Sequence, residues 1–236
     1  MQLIVLAGGL GSRLSEETES KPKPLIEIGG KPILWHIFAI FSRFGIKDFV
    51  ISTGYKSEMI SKYAETLRDK TNWRIECVNT GDLTATGGRI LKCASHIVGK
   101  TFLATYGDGV GNINIEKLIN FHKSHGRLAT LTAVHPPARF GELEIESDVV
   151  THFAEKNQTR AGWINGGFFV LESNVLTRIK DSDEPFESGA LARLTAENQL
   201  MAFKHEGFWQ PMDTLREKNE LNQFALQKTP PWFNFS

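Results

Sequence analysis

The chain has 236 residues, 41% of them hydrophobic and 23% charged, ordinary values for a globular protein able to bury a sizeable core. Its 27 basic residues balance its 27 acidic ones, so no global field draws it to nucleic acid or an anionic membrane, and any polyanion must be held by local charge. Cys77 and Cys93 lack CxxC spacing, no apolar run approaches the ~18 residues of a membrane span, and Met1-Gln2 enters a strand without the regions of a signal peptide; a soluble cytoplasmic protein is expected.

Gln2 to Leu6 reads as a strand, and Ala7-Gly8-Gly9-Leu10-Gly11-Ser12-Arg13 follows it. Glycines at 8, 9 and 11 leave no side chain between the backbone and a ligand, so successive N–H groups can turn toward an anion. Arg13 follows at once, and Lys21 and Lys23 alternate with Pro22 and Pro24, which hold that segment extended. Amides backed by cations suit a polyphosphate. A Walker loop would need Lys and Ser/Thr directly after Gly11, and a dinucleotide fingerprint would need glycine where Leu14 stands, so both are excluded.

Pro32 can open a helix over 33–44 that is apolar nearly all round, which predicts burial against a sheet, with Gly45 ending it and His36 in the core or at an interface. Asp48 to Thr53 is a buried strand and Glu58 to Leu67 a helix, so strands and helices alternate as in a parallel sheet covered on both faces. Ligands of such sheets sit beyond the carboxyl ends of the strands, where the glycine loop also lies. Trp73 to Asn79 is a third strand, and a loop of glycines and hydroxyls, 80–88, opens a helix over 89–98 with Thr86 available as its cap.

Thr101 to Tyr106 is a strand ending in Gly107-Asp108-Gly109, which is either a plain turn or a carboxylate placed for a metal. A helix over 113–125 and a strand over 128–134 follow, and then the pattern shortens, with 142–145 and 149–153 predicted to pair as a hairpin through Ser147-Asp148. Trp163 to Leu171 is an apolar strand interrupted by Asn165-Gly166-Gly167, where the backbone can approach a ligand closely and Asn165 can serve sugar hydroxyls or occupy a bulge. Helices over 173–179 and 187–197, a strand over 200–205 and a helix over about 214–227 complete the pattern, with Asp213 placed to cap the last. The tail over 228–236 reads as a packed or oligomer-facing strap.

These stretches resemble the sugar-1-phosphate nucleotidyltransferases. The likeness rests on Leu6-Ala7-Gly8-Gly9-Leu10-Gly11-Ser12-Arg13-Leu14, Lys21-Pro22-Lys23-Pro24-Leu25, Thr105-Tyr106-Gly107-Asp108-Gly109-Val110, Trp163-Ile164-Asn165-Gly166-Gly167 and the stretch from Gly207 to Arg216. It covers nearly the whole chain and is similar to the cytidylyltransferases in particular. The resemblance implies an α/β fold: one doubly wound, mostly parallel mixed sheet with helices on both faces, plus a small β-rich sugar-binding portion. One domain over 1–236 is expected, with a nucleotide half over about 1–110 and a sugar-phosphate half over about 111–236.

It implies as substrates a nucleoside triphosphate, expected to be CTP, and a sugar 1-phosphate, expected to be glucose 1-phosphate, and a homo-oligomeric assembly. Nucleotide contacts would come from Leu6, Ala7, Gly8, Gly9, Gly11, Ser12, Thr84, Gly87, Gly88, Arg89 and Gly107, with Arg13 and Lys23 as the catalytic cations. Glu155, Lys156, Asn165, Gly166 and Glu187 would hold the sugar phosphate, and Asp108 and Asp213 would bind Mg²⁺. The chain departs from the pattern in three places: it lacks an insertion between Tyr63 and Val78, has Asn157 where proline is usual, and loses Glu-Pro after Glu187. Another base, another sugar or a binding protein without chemistry remain as alternatives.

Overall fold

The computed structural model describes residues 1–137, 142–154 and 162–235. Strand β1 (Gln2–Leu6) runs through the middle of the main sheet and is apolar on both faces: Leu3 and Val5 enter one core, Ile4 and Leu6 the other. The glycine loop leaves it, passes through α1 (Ser15–Thr18) and reaches a short ladder of β2 (Glu27–Ile28) and β3 (Lys31–Pro32). Pro22 is extended as expected, whereas Lys23 enters a 3-10 turn with Pro24 and Leu25.

Helix α2 (Ile33–Ser42) buries every residue except Trp35 and Ser42, with Pro32 at its N-cap and not in its first turn. Phe38 stacks on Phe49 with ring centroids 4.2 Å apart, and Phe41 on Phe168 at 5.4 Å. Burying one such ring contributes about 1.5–3 kcal/mol relative to leaving it in water. His36 is a core residue: its Nε2 meets the Ile28 carbonyl at 2.9 Å and its Nδ1 accepts from the Trp232 indole at 3.2 Å. Trp232, fully buried, shows that the C-terminal strap is packed against this helix.

Strand β4 (Asp48–Thr53), helix α3 (Ser57–Lys70) and strand β5 (Arg74–Asn79) extend the sheet on one side. Helix α4 (Thr86–Lys92) starts three residues before the expected Arg89 and stops well before Val98, where a 3-10 turn at Ala94–His96 takes over. Thr86 is not its cap, because extended Ala85 holds that place and the Thr86 hydroxyl is engaged elsewhere. Strand β6 (Thr101–Tyr106), the short β7 (Gly109–Gly111), helix α5 (Ile115–His125) and strand β8 (Ala129–Val134) follow.

Strands β9 (Glu142–Glu146) and β10 (Val149–Ala154) pair antiparallel as predicted, turning through Ser147 and Asp148 at φ 47° and 71°. The apolar run after Trp163 is two strands and not one, β11 (Ile164–Asn165) and β12 (Phe169–Glu172), separated by Gly166 and two left-handed residues, Gly167 at φ 74° and Phe168 at φ 49°. The helix expected over 173–179 is a 3-10 segment at Ser173–Arg178. The one expected over 187–197 is a wide π turn at Glu187–Leu191 continued by α6 (Ala192–Ala196).

Strand β13 (Leu200–His205), the short β14 (Trp209–Pro211) and helix α7 (Leu215–Ala225) end the chain before the strap. The main sheet is ordered β11-β8-β12-β6-β1-β4-β5, with β13 on the other edge of β8. Strands β1, β4, β5 and β6 are mutually parallel, as are β8 and β13, while β12 and β11 run antiparallel to their neighbours. The sheet is thus mixed and mostly parallel, as expected, with α2, α3, α5 and α7 against one face and α4 and α6 against the other. No helix among the described residues is long and apolar enough to cross a membrane.

Candidate active site

The carboxyl ends of β1, β5 and β6 open onto a cavity of about 440 Å³. From the expected set, Leu6, Ala7, Gly8, Gly9, Gly11, Ser12, Arg13, Lys23, Thr84, Arg89, Gly107 and Asp108 line it. Among the described residues, the amides of Gly9, Gly11 and Ser12 donate to no protein oxygen, so the loop presents unpaired donors as its sequence suggested. Gly107 is tied to β1 by its own amide, which donates to the Leu6 carbonyl at 3.0 Å.

Four charged side chains far apart in sequence meet at one end of this cavity. The Lys23 ammonium donates to Asp108 Oδ2 at 2.7 Å and to Asp213 Oδ1 at 2.5 Å, and Arg13 Nη1 donates to Asp213 Oδ2 at 2.6 Å. Asp108 is there because β6 ends just before it. Asp213 is not the cap of α7: Thr214 is, in a capping box with Glu217 that is worth about 1 kcal/mol. That leaves the Asp213 carboxylate for the site, while its amide donates to Glu217 Oε2 at 2.7 Å. Burial alone would lower the Lys23 pKa, but the charges and hydrogen bonds of Asp108 and Asp213 outweigh it and hold the ammonium above its ordinary value.

The carboxylate pair suits a divalent cation, since both members already converge on one positive group, the Lys23 ammonium. No cluster of three or more His, Cys, Asp or Glu among the described residues forms a cage. Two carboxylates completed by substrate phosphates and water are the way Mg²⁺ is usually bound.

Other expected residues lie elsewhere. Gly87 and Gly88 do not line the cavity: a Cβ on Gly88 would stand 2.1 Å from the Ser182 carbonyl oxygen and one on Gly87 2.6 Å from that of Glu184. The two glycines let α4 pack against the 182–186 segment, and the Gly87 amide already donates to the Glu184 carbonyl. Gly166 is likewise a packing residue, pressed against Val134, with its carbonyl accepting from the Trp209 indole at 2.9 Å. Glu155 and Lys156 lie outside the described residues.

Asn165 and Glu187 do meet, through a residue that the sequence reading passed over. Tyr106 donates its hydroxyl to Glu187 Oε1 at 2.6 Å and accepts from Asn165 Nδ2 at 3.0 Å. Burial and the Glu187 charge push the Tyr106 pKa well up, so it stays a donor. Thr86 donates to the other Glu187 oxygen at 2.7 Å, and both Thr86 and Tyr106 line the cavity. The available signal for Tyr106 was its place at the carboxyl end of a strand, two residues before Asp108.

Residues 2–227 match the family model described as nucleotidyl transferase. The chain belongs to the nucleotidyltransferase family. It is 46% identical, over 98% of each chain, to "Glucose-1-phosphate cytidylyltransferase" of Salmonella typhi and 38% identical, over 98% of this chain and 99% of the other, to "Probable glucose-1-phosphate cytidylyltransferase" of Bacillus subtilis. The first alignment runs over 253 positions, more than the 236 residues here, so that relative carries residues this nucleotidyltransferase lacks. The fold is shared with HddC from Yersinia pseudotuberculosis complexed with GMP-PN, at a TM-score of 0.73 and 23% identity over 94% of this chain and 98% of that one.

Proposed function

We propose that this nucleotidyltransferase joins CTP and glucose 1-phosphate to give CDP-glucose and pyrophosphate. The observation that carries the reading is the cluster of Arg13, Lys23, Asp108 and Asp213 at the mouth of a cavity floored by the glycine loop. The choice of CTP and glucose 1-phosphate is supported by two relatives with those substrates in their names, each aligned over almost its whole length. Neither another base nor a binding-only role has comparable support.

A phosphate oxygen of glucose 1-phosphate attacks the α-phosphorus of CTP, the bond from that phosphorus to the β-phosphate oxygen breaks, and pyrophosphate leaves. The nucleophile is already an anion, so the protein needs no general base. Its task is to hold two repelling anions in line and neutralise charge on the leaving oxygen. The amides of Gly9, Gly11 and Ser12, which donate to no oxygen among the described residues, would cradle the triphosphate, with Arg13 on its outer phosphates and Lys23 between the α-phosphate and the sugar phosphate. Asp108 and Asp213 would hold Mg²⁺, which supplies Lewis-acid charge to phosphate oxygens when bound. Tyr106, Glu187 and Asn165 would orient the sugar. The reading places the protein in the cytoplasm, in keeping with two free cysteines.

The test is pyrophosphate release with Mg²⁺, each nucleoside triphosphate and a panel of sugar 1-phosphates. Release is expected with CTP and glucose 1-phosphate. Release only with UTP or GTP would remove the cytidylyl assignment, and no release with any pair would favour a binding protein.

A further inference from the structure

Asp213 and Thr214 stand side by side at the start of α7, and either residue type can cap a helix. By intrinsic preference the cap would be Asp213: aspartate caps helices better than threonine, and its charge suits the positive end of the helix dipole. The structure has the opposite arrangement. Thr214 is extended, at φ −129° and ψ 160°, and its hydroxyl accepts from the Glu217 amide at 3.3 Å, while the Asp213 carboxylate accepts from Lys23 and Arg13.

Spacing decides between the two. A capping box needs Glu or Gln three residues after the cap; Glu217 stands there for Thr214, whereas Asp213 would have Arg216, whose side chain has no acceptor. Glu217 is 8% exposed, and a single oxygen of it, Oε2, accepts from the Asp213 amide at 2.7 Å and from the Thr214 amide at 3.0 Å. On the other side of Asp213, the Met212 amide donates to the Asp108 carbonyl at 2.7 Å, just past the end of the β7–β14 ladder. The backbone at Asp213 is thereby held from both sides, with the main chain of one site carboxylate tied to that of the other.

We propose that Thr214 and Glu217 are positioning residues for Asp213: their capping box sets the start of α7 and so keeps the Asp213 carboxylate off the helix end and in the site. Without the box, Asp213 becomes the strongest cap available, and turning its carboxylate to the Arg216 amide takes it away from Lys23 and Arg13. The inference rests on the reading of Asp213 as a metal carboxylate for its effect on the reaction, not for the competition between cap and site.

The experiment uses the full-length protein and its T214A, T214S, E217A and E217Q variants. N114A is the control, because Asn114 caps α5 by accepting from the Lys117 amide and does not line the cavity. Mn²⁺ binding in the presence of CTP, without sugar phosphate, is followed by calorimetry, the Mg²⁺ needed for half-maximal rate by pyrophosphate release, and stability by thermal melts; T214A is also crystallised free of metal and nucleotide. T214A and E217A should each weaken Mn²⁺ binding about tenfold and raise the Mg²⁺ requirement by a similar factor. T214S keeps the hydroxyl and E217Q keeps an oxygen for both amides, so each should stay within about twofold of wild type. N114A should melt earlier, as T214A does, yet bind Mn²⁺ like wild type. In metal-free T214A the Asp213 carboxylate should have left Lys23 for the Arg216 amide.

Wild-type Mn²⁺ affinity in a T214A protein that melts early would mean that the box is a helix cap and nothing more, and would overturn the proposal. An E217Q loss as large as that of E217A would also overturn it, because charge and not the held amides would then matter, and so would an N114A loss equal to that of T214A. Should E217A fail to fold, T214A against T214S still decides. Should wild type bind no Mn²⁺ with CTP, the metal reading falls by itself, and an Asp213 still on Lys23 in metal-free T214A would then sink the competition between cap and site independently.

Discussion

Replacing Lys23 by alanine removes the one cation that both site carboxylates share. In the free protein its two bonds, 2.7 and 2.5 Å long, hold Asp108 and Asp213 together, and the Asp108 side chain is 34% exposed against 16% for Asp213. Attraction between unit charges near a protein surface is about 4 kcal/mol at 4 Å. Desolvation of the ammonium opposes it, and water around Asp108 screens it, so the net loss of stability should be about 1–3 kcal/mol. Catalysis should suffer more, because a charged donor aimed at developing charge is worth ~10²–10³ in turnover, or about 2.7–4 kcal/mol. The assay is steady-state pyrophosphate release with CTP and glucose 1-phosphate, with circular dichroism to establish that K23A is folded. Turnover within about threefold of wild type in a folded K23A protein would refute the role given to this residue.

Gly88→Ala should destabilise the protein by about 2 kcal/mol or more, because its Cβ has nowhere to go beside the Ser182 carbonyl, while the folded fraction keeps its KM for CTP; thermal melts and kinetics together check this. Tyr106→Phe deletes the hydroxyl between Glu187 and Asn165 and should raise the KM for glucose 1-phosphate about fivefold to twentyfold, with that for CTP within twofold. A raised lysine pKa stabilises the folded state fully below the unfolded value of 10.5, and that contribution is lost as pH rises through the higher folded value. The melting-temperature gap between wild type and K23A should therefore be flat from about pH 6 to 9 and close above 10.5. Chelating the divalent cation should weaken CTP binding at least tenfold by calorimetry, and equal affinity with and without it would remove Asp108 and Asp213 from the metal's coordination.

Much of this arrangement was legible in the sequence because it follows from local rules. Strands Asp48–Thr53, Thr101–Tyr106 and Leu200–His205 have the bounds that the sequence predicts, and a parallel sheet puts loops 7–13 and 107–109 on one rim. Residues 87 and 88 are ambiguous in sequence for a physical reason: a glycine bared for a ligand and one bared for a packing neighbour look the same in one dimension. Only the three-dimensional neighbours, Ser182 and Glu184 beside the glycines, separate the cases. Tyr106 was passed over because its value comes from Glu187 and Asn165, 81 and 59 residues away. Asp213 and Thr214 can both cap a helix, and their roles part only through Glu217, whose carboxylate takes both of their amides.

On the proposed function, the charge pattern of the site would let a chain of zero net charge receive two polyanions. Two cations and two carboxylates cancel, so the free cluster neither repels itself nor leaves a half-buried charge without a partner. A triphosphate arriving with a divalent cation would let the pairs exchange: Asp108 and Asp213 would hold the metal, and the Lys23 ammonium and Arg13 guanidinium would pass to phosphate oxygens. Every charge would be matched before and after, so the exchange would avoid the several kcal/mol that stranding a buried ion would require. A triphosphate arriving alone would have to pull Lys23 and Arg13 off Asp108 and Asp213 and leave both carboxylates facing more negative charge. On the proposed function, the site should therefore discriminate in favour of the metal–nucleotide complex through the like charges that metal-free nucleotide would bring together.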